Sequence, residues 1–219
     1  MLKLPEDYAH RLNPETPVEK TMRAVAELKA YVFFLQFCVQ LTSFREGKIK
    51  HIGLCEVSST TLRRAYKIAP VAAVQQEYSQ FQLDIEQEYS TNLLSTCRGL
   101  GVSVVCYSPL GRGLLTGAFT TKESVSSPDD MRGAFFPRFT EENIAANVEL
   151  VNRFKVLADK KQCSTSQLAL AWLLKQGENI IPIPGTKRIK WLEENWGALD
   201  VELTEDEEKE IREFGKGVE

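Results

Sequence analysis

The chain has 219 residues, enough for one domain with a sizeable core, and a formal net charge of -3. That balance, without long basic runs, argues against nucleic acid as the main partner. The five cysteines are odd in number and lack CxxC spacing, and the two histidines lie far apart, which points to reduced thiols in a cytosolic protein and away from zinc. Met1–His10 is polar and carries a proline, so no signal peptide is expected there.

In chain order, a first strand is expected to end near Tyr8–His10. Thr16-Pro17-Val18-Glu19 then opens a helix, with Thr16 as cap, Pro17 in the first position and Glu19 in capping-box position. Val18, Met22, Val25 and Leu28 recur along it at helical spacing. Tyr31–Arg45 is an atypical apolar insert, rich in aromatic and β-branched residues, where such links usually take about 2–6 residues. It is too short and too rich in glutamine to span a bilayer, which needs roughly 20 apolar residues. A continued helix, a surface hairpin and membrane association are open alternatives; the favoured reading is translated non-coding sequence at a splice junction, left as an aggregation-prone segment.

His51–Cys55 reads as a strand, Ser58–Ile68 as a helix, Val71–Gln75 as a strand and Asn92–Leu100 as a helix. Val102–Cys106 is a buried-strand run ending in Tyr107-Ser108-Pro109-Leu110-Gly111. A Gly/Pro/Ser-rich loop covers roughly 111–140, followed by a helix near Glu141–Lys161. Ser164-x-x-Gln167 opens the next helix, whose Leu168, Leu170, Trp172 and Leu173 leave few polar sides, so it is expected to wedge against the sheet. The apolar run Ile180–Pro184 holds the last strand, Ile180–Ile183, and is followed by a Gly-Thr turn, the cations Lys187, Arg188 and Lys190, and a short helix with Trp191, Glu194 and Asn195. Thr204-x-x-Glu207 caps a closing polar helix. Strand, glycine turn, cations and helix start, in that order, suit an anion at a strand C-terminus; solvated lysines on an ordinary βα turn are the plainer alternative.

Two strands that each end in a polar Gly/Pro loop suggest a parallel sheet with its ligand at the strand C-termini. The segments His10-Arg11, EGKIKHIGL at 46–54, EYS at 77–79, YSPLGRGLLTG at 107–117 and IPIPGT at 181–186 resemble the fungal and plant-type branch of the aldo-keto reductases. That resemblance runs over nearly the whole chain. It implies an α/β fold, a TIM (β/α)8 barrel represented by about its last five β/α units with the first three missing, so that 1–219 is a single incomplete barrel domain. Five open units would leave sheet edges and inner faces uncovered.

The resemblance also implies NADPH-dependent reduction of aldehydes or ketones, a small-molecule carbonyl substrate, no membrane and a cytoplasmic protein. Of the family's Asp–Tyr–Lys–His set only the histidine has a counterpart, His10, in the mouth of the barrel; the other three belong to the missing units. For the cofactor, Tyr107 matches the aromatic that stacks on the nicotinamide, and Gln75 the glutamine that holds its carboxamide. Ser108, Leu110 and Gly111 match the loop beneath the pyrophosphate, where Arg112 adds charge. Thr186 and Lys187 match the 2′-phosphate contacts, and Trp191, Glu194 and Asn195 the adenine side. The family's amide-binding Ser-Asn reads Cys55-Glu56 here, which weakens one hydrogen bond. A catalytically inactive truncated remnant, at most binding NADP(H), is the alternative. The sequence leaves the particular substrate and the oligomeric state open.

Overall fold

The computed structural model describes residues 12, 15–29, 51–87, 92–125, 127, 130 and 132–214. His10, the strand expected near Tyr8–His10 and the insert Tyr31–Arg45 lie outside the described residues. The chain gathers into two compact units, one of Met1–Gln76 and Asp84–Val105, the other of Glu77–Leu83 and Cys106–Glu219.

The first unit alternates helix and strand: α1 (Val18–Lys29), β1 (Ile52–Cys55), α2 (Ser59–Tyr66), β2 (Val71–Glu77, its last residue in the second unit), α3 (Leu93–Leu100) and most of β3 (Ser103–Tyr107). The strands lie in the order β1-β2-β3. β1 and β2 are parallel, with Leu54 opposite Val74 and Cys55 opposite Gln75, and a register shift between Ile52 and Gly53. Val18, Met22 and Val25 bury one face of α1, as their spacing predicts. The helix begins at Val18, and the Glu19 carboxylate takes two hydrogen bonds from Arg64 of α2, at 2.7 and 2.8 Å.

Caps set the other helices. Ser58 accepts from the Thr61 amide at 3.2 Å and starts α2. Asn92 accepts from the Ser95 amide at 3.2 Å and starts α3, which Gly101 closes in the left-handed conformation. β3 runs one residue later than the expected strand, so Tyr107 is its last residue and not the first of the loop. Val104 and Cys106 are fully buried, and burial pushes the Cys106 thiol up to about 12. Cys55, Cys97, Cys106 and Cys163 carry free thiols.

The second unit holds the end of β3, α4 (Arg132–Phe135), α5 (Glu141–Lys160), α6 (Thr165–Lys175), β4 (Ile180–Pro182), α7 (Ile189–Trp196) and α8 (Glu205–Phe214). α6 begins with a complete capping box: Ser164 accepts from the Gln167 amide at 3.2 Å while the Gln167 side chain accepts from the Ser164 amide at 2.9 Å. α6 is apolar on most sides because α5, α7, α8 and β4 all pack on it. Its Trp172 meets Tyr78 edge-on at 5.7 Å, and Phe154 of α5 meets Phe214 of α8 at 5.5 Å. α8 is polar outside and buries Ile211 and Phe214. Residues 111–140 carry more structure than their composition suggests, with 3-10 turns at Gly111–Thr116, Lys122–Val125 and Pro137–Phe139 besides α4.

Phe154 is fully buried, and Phe154→Ala should cost about 3–5 kcal/mol of stability in denaturant unfolding. Lys161 donates two hydrogen bonds, at 2.8 and 2.9 Å, to Glu207 and holds its carboxyl below the usual range of about 4.5. A carboxylate depressed in the folded state adds stability that is fully present above its unfolded value and lost as pH falls through the folded one. Thermal melting should therefore stay level near neutrality and drop below about pH 4.5, with a shallower drop in Glu207→Gln.

Candidate cofactor site

The site is built in the second unit from two loops that leave adjoining strands. Ile183, the residue after β4, donates its amide to the Cys106 carbonyl of β3 at 3.0 Å. Tyr107 follows Cys106 and Pro184-Gly185 follow Ile183, so the two loops start side by side. The bond is thus the joint between the tyrosine loop and the cationic turn.

The first loop is tightly wound. Tyr107 is half-buried and Ser108 has a positive φ of 49°. Gly111, Arg112 and Gly113 follow one another with φ of 57, 58 and 94°. The amide of Gly111 bonds to the Ser108 carbonyl at 2.9 Å and that of Gly113 to the Leu110 carbonyl at 3.0 Å. A side chain at position 111 would lie 2.7 Å from the Phe81 ring, so glycine is required there by space as well as by conformation.

Arg112 does not extend freely from this loop. Its guanidinium lies 3.8 Å from the centre of the Phe136 ring, and its buried Nε has no hydrogen-bond partner among the described residues. Its carbonyl accepts from Arg132 at 3.2 Å. Arg132 in turn forks onto Asp130 and covers Phe119, and its hydrogen bonds hold the Asp130 carboxyl down to about 2. Arg138 pairs with Glu77 at 3.0 Å, with both side chains largely buried, and Asn147 of α5 donates to the Arg138 carbonyl at 2.8 Å. Sequence reasoning missed Asp130, Arg132 and Arg138 as the supports of this loop. The signal available was arginine set among phenylalanines in Arg132–Phe139.

The second loop is open to solvent. Thr186 accepts from the Arg188 amide at 3.1 Å and is exposed with Lys187, Arg188 and Lys190. Among the described residues Lys187 and Arg188 belong to no ion pair, while Lys190 lies over the Trp191 ring at 4.7 Å. α7 then starts at Ile189 without a side-chain cap, leaving first-turn amides and positive charge together. Trp191 is exposed and Glu194 and Asn195 are half-buried on the same helix. An anionic, phosphate-bearing group fits this donor set.

Of the sequence-predicted residues, Tyr107, Ser108, Leu110, Gly111 and Arg112 share the first loop, and Thr186, Lys187, Trp191, Glu194 and Asn195 the second loop and its helix. Gln75 lies in the first unit near the end of β2, its carbonyl accepting from the Glu56 amide at 3.0 Å. Cys55 beside it is buried, and Glu56 has a left-handed φ of 53°. Among the described residues no group of three or more His, Cys, Asp or Glu could hold a metal ion, and no helix is long and apolar enough to cross a membrane.

The chain is 46% identical over 206 residues to the aldo-keto reductase yakc of Schizosaccharomyces pombe, a protein designated for NADP(+), covering 94% of this chain and 55% of that one. It is 43% identical over 204 residues to a probable aldo-keto reductase of Glycine max, covering 93% and 53%. Its structure resembles the glycerol dehydrogenase AKR11B4 of Gluconobacter oxydans with a TM-score of 0.77 at 24% identity, covering 93% of this chain and 55% of that one. It also resembles the thermostable aldo-keto reductase Tm1743, with a TM-score of 0.67 at 26% identity over 94% of this chain and 57% of that one. The chain therefore spans about half the length of the curated relatives it matches. With the aldo/keto reductase family model matching residues 8–216, the chain belongs to the aldo/keto reductase family.

Proposed function

We propose that this chain is the nucleotide-binding part of an NADP(H)-dependent reductase that converts aldehydes or ketones to alcohols. The observation that carries the reading is the Ile183–Cys106 hydrogen bond, which sets the tyrosine loop beside the cationic turn. NADP(H), when bound, supplies the hydride for carbonyl reduction. The protein's own part is to hold and orient it. Tyr107 offers a ring face for the nicotinamide, and Gln75 is assigned to its carboxamide. Ser108, Leu110, Gly111 and Arg112 are assigned to the pyrophosphate, where Gly111 allows close approach. Thr186 and Lys187 meet the 2′-phosphate, which gives preference over NADH. Trp191, Glu194 and Asn195 take the adenine end.

His10 orients the carbonyl in this reading, and the substrate is a small aldehyde or ketone met in the cytoplasm. The reading takes 1–219 as one incomplete barrel, about the last five β/α units. The proton that completes the alcohol is assigned to the family's tyrosine, which has no counterpart in this chain. A second reading is that this chain at most binds NADP(H), without turnover.

Fluorescence titration with NADPH and NADH tests the binding, and turnover of an aromatic aldehyde separates the two readings. NADPH should bind more tightly than NADH. Lys187→Ala, at an exposed position, should weaken NADPH about tenfold while leaving NADH nearly unchanged, the loss of one charge-assisted contact. Equal weakening of both nucleotides would remove Lys187 from the 2′-phosphate site, and absence of binding by either would remove the proposal.

A further inference from the structure

Three arginines of the second unit each lie over a phenylalanine ring: Arg132 over Phe119 at 3.9 Å, Arg138 over Phe81 at 5.7 Å and Arg112 over Phe136 at 3.8 Å. Two of the three charges are neutralised within the protein, Arg132 by Asp130 at 2.6 Å and Arg138 by Glu77 at 3.0 Å. Arg112 is the remainder. Its guanidinium belongs to no ion pair among the described residues, and its buried Nε has no hydrogen-bond partner there. A half-buried cation without a counter-ion has given up water for no charge partner, a cost that an incoming anion removes.

The stack is fixed at both of its members. At the arginine, the backbone sits in the left-handed region with φ of 58°, and Arg132 donates to its carbonyl at 3.2 Å. At the ring, Phe136 precedes Pro137 and is extended, with φ of -118° and ψ of 116°, the region to which a following proline confines a residue. The Phe136 amide donates to the Arg132 carbonyl at 3.2 Å, and its carbonyl accepts from the Phe139 amide at 3.0 Å. Arg132 therefore ties the backbone of the stacked arginine to the backbone of the ring beneath it. A guanidinium with one face against a ring keeps its in-plane N–H groups for an acceptor. A free arginine side chain loses rotamer entropy when it captures an anion, whereas a stacked one has lost much of it beforehand.

We propose that Phe136 is a positioning residue for the dinucleotide: it holds the uncompensated Arg112 guanidinium flat, with its in-plane donors left for the pyrophosphate. The inference rests on the NADP(H) reading and deepens it. The pyrophosphate is common to NADPH and NADH, whereas Lys187 is assigned to the phosphate that NADPH alone carries. Loss of the ring should thus weaken both nucleotides by one factor, unlike loss of the lysine.

The test is fluorescence titration of the full 219-residue chain with NADPH and with NADH, as a double-mutant cycle. Phe136→Leu should weaken both about fivefold, the loss of a partly desolvated cation–ring contact. Phe136→Tyr, which keeps the ring face, should bind like the parent. Arg112→Met should weaken both about tenfold, and Phe136→Leu added to it should cost nothing further. Phe136→Met carries the same test should the leucine variant unfold. Equal weakening by Phe136→Leu with and without Arg112 would make the ring mere packing and overturn the proposal. So would weakening of NADPH alone, or variants that match the parent. A parent that binds while the variants match it ends this assignment alone; a parent that binds neither nucleotide ends the NADP(H) reading and this assignment with it.

Discussion

The hydrogen bond from the Ile183 amide to the Cys106 carbonyl is the constraint on which the site depends. The tyrosine loop has a ring and a run of left-handed residues but keeps its one arginine stacked on Phe136. The cationic turn has charge and an uncapped helix start but no enclosing wall. Pinning one strand end to the other brings the two partial sites to a common edge, where a long polyanionic ligand can use both. The cost is modest because the strands would form this ladder in any case.

The joint is held from behind by α6. Its capping box fixes where the helix begins, and its apolar surface is wanted by α5, α7, α8 and β4 together. β4 is only three residues long and has prolines in and after it, so its own ladder contributes little. The strand stays in place because Ile180 is buried and α6 packs on it. The placement of the two loops thus derives from helix packing more than from the sheet. The tyrosine loop has its own brace in the Asp130–Arg132 fork and the Arg138–Glu77 pair, both largely out of solvent.

What could be read in the sequence divides by range. The boxes at Ser164/Gln167 and Thr204/Glu207 were legible because both partners sit three residues apart. The buried strands were legible because their apolar runs are continuous, although β3 slipped by one residue, since hydropathy does not mark where a ladder stops. The Glu19–Arg64 pair was not legible because its partners lie 45 positions apart. Residues 111–140 looked like a loop because their order comes from guanidinium–ring and guanidinium–carboxylate contacts with no local period. For the candidate site, glycine and cation positions were readable. The stacking of Arg112 on Phe136 was not.

α7 shows why a periodic pattern can be right about a helix and silent about its environment. Ile189, Leu192 and Trp196 lie on one side of the helix, and that apolar side faces solvent. Amphipathicity states that a face needs covering, not that the covering lies in the same polypeptide.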